Sequence, residues 1–398
     1  MSTPEGSTVE RRILFICPRT PEMSGGSTAV GNLSRGLQGR GLSVRHVSLR
    51  PGTAEPVFPT WVLFPWKFLD DRPLLRGAGV RGLLRAPLWP MKRVLRRVRQ
   101  RRLRRLVEGM GADDVVVCSH VIARQALAET GYTAKHNGPL LIGQHHSSFA
   151  SLHHEPWLAG LIRPAFAADD CFVCLTDEDA TRFREVMDVP VRAIPNALFS
   201  EMPRSNLESR TVVALSRFSA EKQLDVLIAA FADATRDPEL RGWRLHLYGD
   251  GPEADFLRST IADLGAEDRI ELLPPTADSA AVLAGAALHA MSSLYEGFPM
   301  SLLEASSAGV ASIVFDCSAG VRDLVPSDAG VLVPAGDVPA FTQALRDAMG
   351  DRDHRVRMGQ AARRHADSYR HTAITPRWLA LFDELGERRR ESNESGQS

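Results

Sequence analysis

The chain has 398 residues, 44% of them apolar and 24% charged, a balance that suits a globular protein of about two domains. Lysine plus arginine equals aspartate plus glutamate at 48 each, so net charge gives no reason to expect nucleic acid or another polyanion as partner, and any electrostatic function must be local. Five cysteines, at 17, 118, 171, 174 and 317, are odd in number and scattered, which excludes a disulfide framework and favours a reducing compartment.

The opening MSTPEGSTVERR is polar, and the longest apolar run, 280–291, falls well short of the ~20 residues that span a bilayer. A cytoplasmic protein without a membrane anchor is the expectation. Residues 13–17 form a β-branched and aromatic run, followed by the small-residue loop Ser24-Gly25-Gly26-Ser27 and a helical stretch over 29–37, a strand, loop, helix opening. A dinucleotide-binding G-x-G-x-x-G is not there, since Gly25-Gly26 is followed only by Gly31.

Residues 58–105 break the rhythm as an insertion. Phe58, Trp61, Phe64, Trp66 and Phe68 crowd into its start, and nine of the fourteen residues from 92 to 105 are basic. As a helix this stretch carries a partly apolar stripe of Met91, Leu95, Val98 and Leu106, interrupted by Arg102. Two main readings stand: a basic amphipathic helix over about 91–107 that lies on an anionic membrane or meets an anionic acceptor, and a solvated helix covering the domain; nucleic acid is a weaker third.

Apolar runs at 114–118, 139–142 and 171–175 are each separated by enough chain for a crossover helix, the mark of a parallel sheet with helices on both faces. After the second of these comes GQHHSSFASLHHEPW, with histidines at 145, 146, 153 and 154. Adjacent residues on an extended segment point apart, and no acidic third ligand is spaced to join them, so a metal is not expected. Cys171 and Cys174 fall on opposite faces of their strand by the same parity. The triplet Asp177-Glu178-Asp179 reads as a helix start whose acids complement the dipole, not as a metal-binding D-x-D.

The pattern restarts in the second half, with strands predicted at 211–215, 244–248, 270–273, 288–291, 312–315 and 330–333 and helices at 223–232 and 253–264. The expected fold is therefore α/β, two Rossmann-like domains facing a cleft: residues 1–198, a linker over 199–210 with polar and proline composition, and 211–370. Trp378, Leu381, Phe382 and Leu385 then follow helical spacing, so 371–388 is expected to be a helix packing back on the first domain, and 389–398 a disordered tail.

One stretch of the second half, YEGFPMSLLEA at 295–305, sets two carboxylates around a helix start. Pro299 suits the first turn and Gly309 the end, so Glu296 precedes the helix while Glu304 lies in its second turn. Free N–H groups at a helix amino terminus bind phosphate or hydroxyl oxygens, and neighbouring carboxylates accept from hydroxyls, a pairing that fits a nucleotide sugar. Upstream, Arg217 and Lys222 in SRFSAEK follow the first strand of this half, where two cations could close on a diphosphate, although taken alone the segment favours surface ion pairing with Glu221.

In order along the chain, IPNAL, LSRFSAEKQLDVLIAAF, LYGDGPE, YEGFPMSLLEASSAG and GVLVPAGD resemble the retaining glycosyltransferases of the GT-B fold, in particular glycosyltransferase family 4, with IPNAL at the family's hinge. The resemblance implies that Arg217 and Lys222 hold the donor diphosphate, that Glu304 accepts from the nucleotide ribose, and that Glu296 faces the transferred sugar. It further implies that the backbone of Gly297, Phe298, Pro299, Met300, Ser301 and Leu302 contacts sugar and phosphate. Gly25 and Gly26 would let donor phosphate or acceptor approach the first domain, and a histidine facing the sugar would be His146, with His145 the alternate. The implied partners are a nucleotide-sugar donor, with a uridine base by family prevalence, and a carbohydrate, polymer or small-molecule acceptor; no metal or cofactor is implied. Pro274-Pro275, Ser216 and Gln223 stand where the family usually has glycine. An epimerase on the same donor and a non-catalytic nucleotide-sugar-binding regulator are the alternatives.

Overall fold

The structure, a computed structural model, describes residues 11–20, 24–52, 60–63, 89–132, 137–205 and 207–395. Phe58, Phe64, Trp66 and Phe68 of the predicted insertion, the polar opening residues, Asn206 of the linker and the last three residues lie outside the described residues.

In the first domain β1 (Arg12–Thr20), β2 (Ser43–Pro51), β3 (Thr60–Val62), β4 (Val115–Cys118), β5 (Leu140–Gln144), β6 (Cys171–Cys174) and β7 (Val191–Ala193) form one parallel sheet in the order 3-2-1-4-5-6-7. Apart from β2, where Arg45, His46, Ser48 and Arg50 are interspersed with apolar residues, its strands are built on apolar runs because both faces are covered. On one face α1 (Gly25–Gln38) packs; on the other lie α2 (Trp89–Glu108), α3 (Val121–Ala128), α4 (Pro156–Phe166) and α5 (Asp177–Arg184). Strand parity divides the two cores: Cys171 and Val173 join the α1 side, Phe172 and Cys174 the α2–α5 side.

The second sheet, also parallel, runs 10-9-8-11-12-13, from β8 (Thr211–Leu215), β9 (Arg244–Tyr248), β10 (Ile270–Leu273), β11 (Leu288–Met291), β12 (Ala311–Asp316) and β13 (Gly330–Pro334). Its helices are α6 (Leu224–Ala234), α7 (Ala254–Asp263), α8 (Ser279–Ala284), α9 (Met300–Ala308), α10 (Ala319–Leu324), α11 (Val338–Gly350) and α12 (Arg352–Ala366). In both sheets the strand order reverses once, between β1 and β4 and between β8 and β11. Ligands of open α/β sheets bind in the crevice outside the carboxyl ends of such strands.

The chain crosses between domains twice, at Leu198 and at Tyr369–His371, and the crossings are bonded to each other: Leu198 N donates to Tyr369 O at 2.9 Å and His371 N to Leu198 O at 2.7 Å. The last helix, α13 (His371–Ser395), then buries Trp378, Leu381, Phe382 and Leu385 against Ile13, Val30, Leu33 and Leu37 of the first domain. A Cβ on Gly36 would lie 2.3 Å from Thr375 Oγ1, so α1 and α13 approach through a residue without a side chain.

Two expectations are corrected. Residues 389–395 are not a disordered tail but the end of α13. Arg389 is held there by Asp170 at 2.6 and 2.9 Å and by the carbonyls of Gly138 and Pro139 at 2.7 and 3.1 Å, and the exposed Arg388 pairs with Glu384 one turn back. The inner stripe of α2 is Arg99, Leu103 and Val107, not one that includes Val98. Glu129, just after α3, pairs with the buried Arg99 at 3.6 Å and with the exposed Arg96 at 2.8 Å, while Val94 and Val98 face outward, 57% and 38% exposed.

Arg389→Ala strips a half-buried carboxylate and two carbonyls of their donor and is expected to cost about 1–3 kcal/mol, read as a lower denaturant midpoint. Arg388→Ala, losing only an exposed pair, should cost no more than about 0.5 kcal/mol.

Candidate functional site

The second-domain half of the site grows from the loop after β8. Gly249 and Gly251 of LYGDGPE lie against this loop: a Cβ on Gly249 would sit 1.9 Å from Ser216 O and one on Gly251 2.2 Å from Phe218 O. Phe218 N donates to Asp250 O and Glu253 N to Phe218 O, at 2.9 and 3.0 Å. The glycine motif thus clamps the segment that carries Arg217. The loop ends on Gln223 in left-handed backbone, φ 45°, a conformation glycine adopts without the steric cost a Cβ brings. Ser292 Oγ, just after β11, lies 2.9 Å from Lys222 O and 2.7 Å from Gln223 O, and Leu294 N donates to Glu221 O at 2.8 Å. The loops on either side of the second switch point are therefore stitched together.

Their charged residues are mutually paired. Lys222 Nζ lies 2.7 Å from Glu296 Oε1, which also accepts from Ser293 Oγ at 2.7 Å, and both charged side chains are largely buried. Arg217 pairs with Glu221 at 2.7 Å, as one of the two sequence readings had it, while its side chain stays 65% exposed. Pro299 stands at the N-cap of α9, whose Met300, Leu302 and Leu303 are buried; Ser301 and Glu304 are only partly buried. Burial pushes the Glu304 carboxyl above its usual range, opposed by a hydrogen bond from Ser279 of α8.

In the first domain strand parity separates the adjacent histidines. Leu141 of β5 belongs to the core on the α2–α5 side, and His145, in phase with it, packs on Phe172 and Phe183 with ring centroids 6.4 and 5.7 Å away. His146 falls on the α1 side, where a Cβ on Gly26 would lie 3.9 Å from its Cγ. Both of its ring nitrogens are buried without a hydrogen-bond partner, and burial pushes it down to about 4, a neutral imidazole at pH 7. His153 and His154 are exposed beyond the strand.

The halves meet at Gly297. A Cβ there would lie 2.0 Å from His146 O, and one on Gly320 would lie 2.0 Å from Gly297 O. Asn196 Nδ2 donates to Phe298 O at 3.0 Å, a Cβ on Gly25 would lie 3.8 Å from Met300 Cγ, and Arg322 reaches Glu178 at 2.7 Å. At the rim His154 stacks on Tyr295, 5.0 Å between centroids. The structure thus brings Gly25, Gly26 and His146 against the segment from Glu296 to Met300, with Lys222 on Glu296. Asn196, Ser292, Ser293, Tyr295 and Gly320 were not singled out from the sequence, although Asn196 stood within the quoted IPNAL and Tyr295 at the head of the quoted YEGFPMSLLEA. Asp179 accepts from Phe149 N at 2.8 Å and Thr176 Oγ1 at 2.9 Å, so the acidic triplet builds the start of α5.

Residues 198–365 match the family model described as Glycosyl transferases group 1, less than half of the chain and most of its second domain. An exopolysaccharide phosphotransferase of Streptomyces coelicolor is 36% identical over 228 residues, 56% of this chain; the chain spans about a quarter of that relative's length, 24%. The GDP-mannose:cellobiosyl-diphosphopolyprenol alpha-mannosyltransferase of Xanthomonas campestris is 29% identical over 270 residues, 61% of this chain and 70% of its own. A mutant of S. aureus TarM, solved with fondaparinux, alpha-GlcNAc-glycerol and UDP, superposes with a TM-score of 0.72 at 13% identity, covering 94% of this chain and 99% of its own. The fold is that of the GT-B glycosyltransferases, and it is the second domain that is similar to the glycosyl transferases group 1.

Gly297→Ala is expected to leave each domain folded but hold them apart, because the new Cβ cannot share space with the His146 carbonyl. Small-angle scattering should show a larger radius of gyration, and any turnover that needs both domains should fall by about tenfold or more.

Proposed function

We propose that this protein is a retaining glycosyltransferase of glycosyltransferase family 4, moving a sugar from a nucleotide-sugar donor, with uridine as its base, to an acceptor hydroxyl in cell-surface polysaccharide, wall-polymer or glycolipid synthesis. The observation that carries the reading is the placement of the Lys222–Glu296 pair at the second switch point with Gly297 against His146 of the other domain. The second-domain family match supports the reaction class. The UDP bound to the TarM mutant and the polyprenol-linked acceptor in the name of the Xanthomonas relative support the substrate classes.

In this reading a donor diphosphate replaces carboxylates as the partner of two cations. Arg217 leaves Glu221 and Lys222 leaves Glu296, and both then neutralise the charge that grows on the leaving group, the type of electrostatic stabilisation that dominates many such reactions. Glu296, released from Lys222, accepts from hydroxyls of the transferred sugar; Glu304 accepts from the ribose. The acceptor oxygen bonds to the anomeric carbon on the side from which the diphosphate departs, and the acceptor proton passes to the departing phosphate oxygen. His146, neutral, offers one donor and one acceptor nitrogen to the sugar. We assign no metal or cofactor to the site, because the two cations supply the charge.

The test is hydrolysis of a panel of UDP- and GDP-sugars by the purified protein without acceptor. Slow release of one nucleotide is expected, reduced about 10²- to 10³-fold in Lys222→Ala, with donor affinity weakened about 10- to 100-fold in Glu304→Ala. Isomerised donor without acceptor would indicate an epimerase, and binding without turnover a regulator.

We further propose that α2 lies on an anionic membrane, bringing the protein to the face of the membrane where lipid-linked acceptors reside. Val94 and Val98 are exposed on its outer side among Arg93, Arg97, Arg101 and Arg105. No described helix is long and apolar enough to cross a membrane, so the contact would be peripheral. Vesicles containing phosphatidylglycerol should sediment the protein and neutral vesicles should not; each Arg→Glu change at 97 or 101 should weaken binding by at least about 1 kcal/mol.

A further inference from the structure

The two sheets reverse strand order at corresponding places, and what the sequence places there is parallel. In the second domain the loops leaving β8 and β11 carry Arg217, Lys222 and Glu296. In the first domain the connection after β1 opens α1 with Gly25-Gly26, and the loop leaving β4 carries Ser119-His120. Such a crevice is where an open α/β sheet binds its ligand; the glycine side already has a role in the site, whereas His120 has none.

His120 is the N-cap of α3. Its backbone is extended, φ −168°, and its Nδ1 accepts from Ile122 N at 3.1 Å. A backbone amide can only donate, so Nδ1 holds a lone pair and a neutral ring must carry its proton on Nε2. The cap therefore fixes the tautomer. Continuing the register of Cys118 with Gly143 sets His120 beside His145 at the head of β5, and burial pushes His120 down to about 4, so the ring is neutral at pH 7. The adjacent strand end is rich in polar atoms that no described group satisfies: Gln144 Oε1, His145 Nε2 and both nitrogens of His146 are buried without a partner.

Resting on the glycosyl-transfer reading above, we propose that His120 is an acceptor-positioning residue: its Nε2–H, fixed by the α3 cap, donates to an acceptor oxygen and orients the hydroxyl that attacks the donor sugar. With this tautomer it is a donor and not the base, consistent with the acceptor proton leaving on the donor phosphate.

The test separates cap from donor by using water as the acceptor. His120→Asn keeps a side chain that caps helices well but lacks the reach of Nε2; His120→Gln keeps a donor at that reach but caps poorly. His120→Asn should melt within about 2 °C of wild type and hydrolyse the preferred nucleotide sugar about tenfold or more slowly, with KM for the donor and Kd for UDP unchanged. His120→Gln should melt lower and keep hydrolysis within about threefold of wild type. Nitrogen-15 spectra of histidine-labelled protein should show His120 protonated on Nε2. Wild-type turnover in His120→Asn, turnover that falls in step with stability in both variants, or a proton on Nδ1 each overturns the proposal while UDP binding still stands. Failure of the wild-type protein to bind UDP or GDP at all overturns the donor reading itself, and this proposal with it.

Discussion

Everything in the cleft depends on one close approach, the backbone of Gly297 against the carbonyl of His146. A Cβ on Gly297 would fall 2.0 Å from that oxygen, and the carbonyl of Gly297 in turn occupies the space a Cβ on Gly320 would need. Three backbone segments from two domains are thus in van der Waals contact with no side chain between them. That contact sets Glu296 on one side and the Phe298 carbonyl, held by Asn196, on the other. The apolar cluster that mixes Ala29, Leu175 and Leu198 with Phe298, Met300 and Leu302 supplies the burial that keeps the domains together.

The same region has its cations neutralised in advance. Lys222 and Glu296 are each about 15% exposed, and a largely buried charge without a partner is costly. The pairing therefore offsets the cost of keeping that cation in a closed crevice. Arg217 differs: with most of its side chain in solvent, its pairing with Glu221 contributes little and is readily exchanged. One cation is stored under cover and the other waits at the mouth.

Most strands of the two sheets were legible as short apolar runs with crossovers long enough for a helix, but β2, β3 and β7 were not: Arg45, His46, Ser48 and Arg50 break up β2, and the other two are three residues long. The motifs carrying Arg217, Lys222, Glu296 and Glu304 were legible as a series, and strand parity tells the two adjacent histidines apart once β5 is known to run to Gln144. What the sequence hid was non-local. Arg389 finds Asp170 across 219 positions, so the polar end of the chain read as a tail. Hydrophobic period missed the inner face of α2, where Arg99 is buried and pairs with Glu129 from the end of α3. The Lys222–Glu296 pair joins residues 74 apart, and His120 drew no notice because a histidine after a strand looks ordinary until its Nδ1 is seen bound to Ile122 N.

The two chain crossings between domains lie side by side, Leu198 bonded on both sides to the segment from Tyr369 to His371, and α13 continues from the second crossing onto the first domain. Such an arrangement works as an axle. A rotation of one domain about these crossings would change every distance across the cleft together. Under the transfer proposed above, seating a donor at one wall would thereby set the distance left for an acceptor at the other.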